Sequence, residues 1–140
     1  MNRFLTGYRG LLWAVTGIIS LWLLLTPPVL QAAAATRSIA VKLGDYKFSP
    51  DEIRVQAGDS VRLELTNADG VTPHNFTLQA KAAGLDVDVD VGAGQTKIVD
   101  LPPLAAGTYS FHCNKKLLFM KSHREHGMEG NLIVEPAGPN

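Results

Sequence analysis

The sequence predicts an all-β fold, a sandwich of two antiparallel sheets. From Ser38 onward, seven or eight short segments are rich in β-branched residues or alternate between apolar and polar side chains. Glycine, proline, asparagine and aspartate residues, which favour turns, separate these segments at short intervals. The sequence shows no repeat and no long amphipathic helix that would favour another class. We therefore expect a single domain with its strands packed in two layers.

The predicted strands follow one another along this region. They are residues 38–43, 53–56, 60–66, 74–80, 85–92, 96–101, 107–113 and 130–136. In 85–92 the valines and the aspartates alternate, so the acidic side chains share one face. We interpret that face as solvated surface or, alternatively, as a docking face for a basic partner. A short helical turn is expected only within residues 115–125.

The first 35 residues are typical of a secretory signal peptide. Arg3 and Arg9 precede an apolar run at 11–25, and an alanine-rich stretch at 32–35 follows it. The run is shorter than the roughly 20 residues that a membrane-spanning helix needs, which favours a cleaved signal over an uncleaved anchor. We therefore divide the chain into a signal peptide, residues 1–35, and a mature domain, residues 36–140. The mature domain is expected in the periplasm or otherwise secreted, away from the membrane.

Charge and cysteine content narrow the function. The chain has 13 basic and 13 acidic residues, and removal of Arg3 and Arg9 leaves 13 − 2 = 11 basic against 13 acidic residues. This slightly acidic balance does not indicate a nucleic-acid partner. Exported proteins usually use cysteines in disulfide pairs, yet Cys113 is the single cysteine of this chain. An unpaired thiol in an oxidising compartment is open to oxidation unless it is buried or bound to a metal, so Cys113 needs an explanation.

One segment concentrates the residues that bind soft metals. Between Phe111 and Met128 lie Cys113, three of the four histidines and two of the three methionines. A further histidine, His74, begins the strand at 74–80. Strand ends and a connecting loop could bring four side chains to one pole of a sandwich. These four are His74, Cys113, His123 and Met128. His112 is a poor candidate, because its side chain should point to the opposite face from that of Cys113.

This donor set favours copper. Thiolate and thioether sulfur suit Cu(I), imidazole suits Cu(II), and two histidines with one cysteine and a weak methionine form the blue-copper electron-transfer site. Zinc also accepts cysteine and histidine but has little use for a thioether. A cysteine nucleophile with a histidine base is a third hypothesis. No oxyanion-binding motif accompanies the pair, so we do not expect an enzyme.

The chain resembles the cupredoxins, the small blue-copper proteins. The resemblance rests on "YKFSPDEIRVQAGDSVRLELTN", "PHNF", "GTYSFHC" and "SHREHGMEGNLIVE", and it covers about residues 38–135. It implies an eight-stranded Greek-key sandwich with one copper ion near one end. It also implies His74, Cys113 and His123 as ligands, with Met128 axial. Asn75 matches the family residue that ties the two ligand segments together.

The loop between the cysteine and the second histidine departs from the family pattern. Nine residues, "NKKLLFMKS", separate Cys113 from His123, whereas family members usually have only a few. His126 therefore remains an alternative to His123 as a ligand, although the family spacing His-x4-Met favours His123. Met120 remains an alternative to Met128.

The resemblance implies a one-electron carrier that cycles one copper ion between Cu(I) and Cu(II). A copper-handling protein of the same fold, for delivery, storage or resistance, is the alternative that the long loop suggests. We expect a monomer that binds redox proteins transiently through the apolar residues 117–119 and the exposed edge of His123. Nearby basic side chains could steer an anionic partner. They are Lys115, Lys116, Lys121 and Arg124.

Overall fold

The computed structural model describes residues 36–138, which lie within the compact unit Ala33–Asn140. These residues form nine strands and two short 3-10 turns, the turns at Lys81–Ala83 and Arg124–His126. The strands are β1 Thr36–Gly44, β2 Lys47–Ser49, β3 Glu52–Gln56, β4 Ser60–Asn67, β5 His74–Ala80, β6 Leu85–Val91, β7 Thr96–Leu101, β8 Gly107–His112 and β9 Glu129–Glu135. Within the described range, no helix has the length and apolar character that crossing a membrane requires. The predicted signal peptide lies outside the described residues, so it stays a prediction.

The strands form two sheets, which confirms the predicted sandwich. One sheet has the order β2-β1-β4-β7 and the other has the order β3-β9-β8-β5-β6. The pairs β1/β4 and β3/β9 are parallel, and the other pairs are antiparallel. The expectation of antiparallel pairing throughout was therefore wrong for two pairs. The chain leaves β2 for β3 in the other sheet and then returns, which allows β4 to run beside β1 in the same direction.

Alternation within the strands builds the core between the sheets. In β4, Val61, Leu63 and Leu65 are buried while Arg62 and Glu64 are exposed. β6 shows the predicted division, because its three aspartates are exposed while its apolar side chains are buried or half-buried. The apolar face of each strand thus meets the other sheet. Each Å² of apolar surface buried there stabilises the fold by about 25 cal/mol.

Two elements differ from the sequence expectation. β2 was not predicted, because three residues are too short to show a period of two. Its Phe48 is nonetheless 3% exposed and contacts Phe76 and Phe111, with ring centroids 6.0 and 5.1 Å away. The helical turn expected within residues 115–125 lies at the end of that range, at Arg124–His126, after the Cys–His loop. Within the loop, Leu118 has a positive φ of 46°, which interrupts a right-handed helix.

Gly130 is required by close packing. It lies opposite Phe111 in the β8/β9 register. A Cβ atom there would lie 2.6 Å from the Phe111 ring and would overlap the carbonyl oxygen of Asp51. Only glycine allows β9 to approach the ring this closely, so the packing of the core near the end of β8 depends on this position.

Candidate metal centre

The topology brings three strand ends to one pole of the sandwich. His74 is the first residue of β5, Cys113 directly follows β8, and Met128 directly precedes β9. β8 pairs antiparallel with both β5 and β9. The end of β8 therefore lies beside the beginnings of the other two strands, and residues distant in sequence become neighbours.

Three of the four predicted ligands form a compact group. One donor atom each from His74, Cys113 and His123 lies within 4.8 Å of the others, and this is the one such group of three among residues 36–138. The Nδ1 atoms of the two histidines are 3.0 Å apart, and the Cys113 Sγ lies 3.4 Å from the His123 Nδ1 and 3.9 Å from the His74 Nδ1. His74 and Cys113 are fully buried, and His123 is 7% exposed.

Met128 joins this group through the backbone. Its side chain is fully buried. Its amide donates to the carbonyl of His123 at 3.0 Å, and its carbonyl accepts from the amide of Cys113 at 3.0 Å. Two imidazoles, a thiol and a neighbouring thioether fit copper better than zinc, because a soft thioether adds little to a zinc site.

Asn75 ties the two ligand segments together, as the resemblance implied. Its Oδ1 accepts from the Asn114 amide at 2.9 Å, and its Nδ2 donates to the Asn114 Oδ1 at 2.8 Å. Its own backbone amide donates to the Cys113 Sγ at 3.4 Å. Asn75 itself is 1% exposed, and its bond to the Cys113 Sγ is buried. The residue after His74 thus fixes the residue after Cys113.

The long loop is closed at its base. The His123 amide donates to the Lys115 carbonyl at 2.8 Å, so only Asn114 and Lys115 span the distance between Cys113 and the closing bond. Residues 116–122, which we term the excursion, extend beyond that bond. Their apolar side chains are exposed, with Leu118 at 78% and Phe119 at 99%. The extra length therefore does not separate His123 from Cys113.

Burial sets the protonation of the two groups that would change on metal binding. Burial raises the pKa of the Cys113 thiol, although hydrogen bonds from the amides of Asn75 and Lys115 and the Lys115 charge oppose this. Burial also lowers the pKa of His123, and the neighbouring His74 and His126 lower it further. A neutral imidazole is ready to bind a metal, whereas a protonated thiol must release its proton.

The alternative ligands lie outside the group. His126 is exposed and Met120 is 55% exposed, in contrast to the buried His123 and Met128. His112 is half-buried on the face opposite to Cys113, and its pKa is lowered mainly by burial. His123 and not His126 therefore belongs to the buried group, and its assignment as a ligand stays a prediction.

The sequence did not reveal the partner of the His74 ring. The His74 Nε2 lies 2.8 Å from the Asp69 Oδ2. This hydrogen bond is the main reason that the pKa of Asp69 is lowered. Asp69 belongs to the turn segment "NADG", where an acidic residue is unremarkable because such residues favour turns. Its position shortly before His74 was the one available signal.

Tyr46 is a second residue that the sequence did not reveal. Its ring meets His123 edge-on at 4.9 Å and lies 4.8 Å from the ring of His126. Asp45 and Tyr46 form the turn between β1 and β2 with φ values of 51° and 56°, a conformation usually supplied by asparagine and glycine. A bulky residue is uncommon there, so the pattern gave no indication of this turn.

The basic character of the loop is partly neutralised. Lys115 pairs with Asp90 at 2.6 Å, and Arg124 pairs with Glu129 at 3.2 Å. The acidic face of β6 is also partly engaged, because Asp88 accepts from the Asn75 Nδ2 at 2.6 Å. Neither surface is therefore a simple patch of one charge.

Comparison with known proteins agrees with this arrangement. A family model described as a cupredoxin-like domain matches residues 15–134. The chain belongs to the cupredoxin family. This cupredoxin is 33% identical to the plastocyanin of Dryopteris crassirhizoma over an alignment of 106 positions that covers 67% of this chain and 93% of the plastocyanin.

Two further similarities differ in reach. The chain is 52% identical to the copper-resistant cuproprotein CopI of Pseudomonas aeruginosa over 48 residues, which are 34% of this chain and only 26% of CopI. The fold is similar to that of reduced auracyanin from Roseiflexus castenholzii, with a TM-score of 0.58, 16% identity, and coverage of 76% of this chain and 100% of auracyanin. The last similarity concerns the fold alone.

Proposed function

We propose that this cupredoxin is an exported one-electron carrier that holds one copper ion between His74, Cys113 and His123, with Met128 as the fourth, weaker ligand. One observation carries the proposal: two buried imidazoles and a buried thiol from three separate segments have donor atoms within 4.8 Å of one another. Bound copper supplies the exchange of one electron between Cu(I) and Cu(II).

The chain's own contribution is to hold the donors still and to exclude water. Backbone hydrogen bonds link Cys113 to Met128 and Met128 to His123. Asn75 links the start of β5 to the residue after Cys113. Donors that are fixed before the electron arrives need little rearrangement when it does, which keeps the barrier to transfer low.

The surface near His123 is our proposed route for electrons. His123 is nearly buried, and Tyr46, which is 38% exposed, lies against its edge. The exposed apolar side chains of the excursion are close in sequence and provide a contact for redox proteins that bind transiently. We expect a monomer without enzymatic turnover. The basic start, the apolar run and the alanine-rich stretch of residues 1–35 support export to the periplasm or beyond.

A copper titration tests the proposal. Cu(II) added to the metal-free domain should produce an intense visible thiolate-to-copper absorption that saturates at one ion per chain, with reversible one-electron voltammetry. A colourless complex, or saturation at another ratio, would contradict it. Paramagnetic resonance of the same sample would report the coordinating atoms.

Copper handling is the second candidate, and the similarity to the copper-resistant protein CopI favours it. The two functions make opposite demands on the site. A carrier should retain its ion through many redox cycles, whereas a delivery protein should release Cu(I) readily. We therefore expect a carrier to lose no copper to a competing Cu(I) chelator on the timescale of electron exchange, and rapid loss would favour handling.

A further inference from the structure

Asp69 lies in the connection between β4 and β5, and its carboxylate reaches the remote side of a proposed ligand. The Asp69 Oδ2 lies 2.8 Å from the His74 Nε2, and the other ring nitrogen, Nδ1, faces Cys113 and His123. The His74 side chain is fully buried, and that of Asp69 is 23% exposed. The carboxylate therefore covers the only polar edge of the ring that does not face the site.

The identity of the partner decides which nitrogen carries the proton. An ionised carboxylate only accepts hydrogen bonds, so the His74 Nε2 must be the donor. A neutral imidazole has a single N–H, which leaves the His74 Nδ1 with a lone pair directed toward the other donors. His74 is thus set in advance to present Nδ1 to a metal.

The carboxylate is itself held in place. The Asp69 amide donates to the Asn67 Oδ1 at 2.9 Å, and the Asp45 amide donates to the Asp69 Oδ1 at 3.3 Å. Asn67 is buried, and its Nδ2 donates to the carbonyls of Thr72 and Val91 at 2.9 Å each. These bonds connect Asp69 to the turn before β2, to the loop before β5 and to the end of β6.

The backbone also leaves room for this side chain. A Cβ atom at Gly44 would lie 2.9 Å from the Asp69 Oδ1. Any larger residue at position 44 must displace the carboxylate. The position of Asp69 therefore depends on a neighbouring strand as well as on its own loop.

We propose that Asp69 is a positioning residue of the metal centre, which fixes His74 in the tautomer that presents Nδ1 and strengthens this ring as a ligand for Cu(II). The inference rests on the copper site proposed above. A carboxylate on the remote nitrogen makes the ring a better electron donor, and loss of such a partner typically lowers metal affinity about 10- to 100-fold. Cu(II) gains more from a stronger nitrogen donor than Cu(I) does, so Asp69 also holds the reduction potential down.

Nitrogen NMR of the metal-free protein tests the tautomer directly. In the wild-type chain we expect the proton of His74 on Nε2. In Asp69→Ala the two tautomers of His74 should both be populated, and in Asp69→Asn, whose amide oxygen still accepts, the Nε2–H form should persist. An unchanged Nε2–H tautomer in Asp69→Ala would overturn the proposal.

Copper binding provides the second readout. Asp69→Ala should lower Cu(II) affinity about 10- to 100-fold and Cu(I) affinity less. Each tenfold difference between the two losses raises the potential by about 59 mV. Asp69→Asn should raise the potential without the full loss of affinity, because it removes the charge and retains the acceptor. Gly44→Ala, which pushes the carboxylate but leaves its charge, should change the tautomer and affinity in the same direction by a smaller amount.

A matched control separates this effect from a general loss of charge. Asp86 on β6 accepts from Gln79 at 2.9 Å and does not contact a proposed ligand, so Asp86→Asn should leave tautomer, affinity and potential at wild-type values. Wild-type protein that fails to bind copper would contradict the proposed function. The tautomer experiment would still test whether Asp69 fixes the tautomer of His74. Wild-type protein that binds copper while all the Asp69 and Gly44 variants match it would overturn the inference alone.

Discussion

The pole of this cupredoxin that carries the proposed ligands has two regions, and the chain holds them very differently. The proposed ligands are buried, and backbone hydrogen bonds join three of them, Cys113, His123 and Met128. The excursion, residues 116–122, lies on the same connection between β8 and β9, yet it carries exposed apolar side chains. The bond from the His123 amide to the Lys115 carbonyl separates the two regions. A longer loop therefore need not mean a looser site, because the extra residues lie beyond the closing bond.

The most severe way to break the buried region is to remove its sulfur. Cys113→Ser should abolish the intense visible absorption completely, since an alcohol oxygen cannot supply the thiolate-to-copper transition. Absorption spectra of copper-loaded wild-type and variant protein provide the test. Retention of the band in the variant would show that another residue supplies the chromophore.

Alanine variants of two nearby histidines, His123 and His126, test which of them belongs to the buried region. His123→Ala should reduce copper affinity by more than about 100-fold, the upper end of the loss expected for an outer partner alone. His126→Ala should bind copper with nearly wild-type affinity, because the His126 side chain is exposed and its ring lies against Tyr46. Competition titrations against a chelator measure both. Equal losses in the two variants would contradict the assignment of His123.

Gly130→Ala tests the packing beneath the site. The added methyl group must displace the Phe111 ring and the Asp51 carbonyl, so the free energy of unfolding should fall by about 1–3 kcal/mol, as for other overpacked cores. Denaturant titration of the metal-free protein gives the value. Gly138→Ala is the matched control, since a Cβ atom there meets no atom within 4 Å and should change stability little. Equal stability of the two variants would show that β9 can shift to accommodate the methyl group.

Replacement of the excursion tests whether the closing bond alone is sufficient. Two glycines in place of residues 116–122 would join Lys115 to His123 by a β-turn that retains the same carbonyl-to-amide bond. The copper absorption should keep its wavelength and intensity, and stability should rise slightly, since each halving of loop length recovers about 0.6 kcal/mol. Electron exchange with partner proteins should slow, because the apolar contact is lost. A shifted or weakened band would mean that the excursion shapes the site.

The smallest expected effect concerns the link between the excursion and the turn that follows His123. The Glu125 carboxylate accepts from the amide of Ser122 at 2.6 Å and from its hydroxyl at 2.7 Å. The Ser122 amide is the main reason that the pKa of Glu125 is lowered below 4.5. A carboxyl group whose pKa is lower in the folded state stabilises the fold at pH values above its pKa in the unfolded state. This stabilisation is lost as the pH falls through the pKa of the folded state. The Ser122 amide resonance should therefore titrate with a midpoint below 4.5, and Glu125→Gln should remove that titration.

The sequence predicted the two layers because they depend on a pattern that it contains, and the same holds for the grouping of His74, Cys113 and His123. Alternation in segments such as β4 follows directly from burial on one face. One early histidine followed by cysteine, histidine and methionine is an order specific enough to indicate which side chains lie together. Alternation of apolar and polar side chains does not show whether paired strands run parallel or antiparallel. The parallel pairs β1/β4 and β3/β9 were therefore not predicted.

The contacts around the ligands were harder to predict. Asp69 and Tyr46 both occupy turns, where residue type reports the backbone conformation and not the direction of the side chain. Their partners are 5 residues away for Asp69, and 77 residues away (123 − 46) for Tyr46. Only the folded chain shows that the Tyr46 ring packs against His123 and that the Asp69 carboxylate contacts the His74 imidazole. Contacts of this kind depend on how turns from two sheets converge.

The closing bond between Lys115 and His123 also separates two kinds of change that this protein can undergo. Residues beyond it can vary in length and composition while the proposed ligands keep their positions, so the proposed docking surface and the proposed metal centre can evolve independently. The same property makes the excursion a practical place to insert a foreign segment, for example a tether to an electrode.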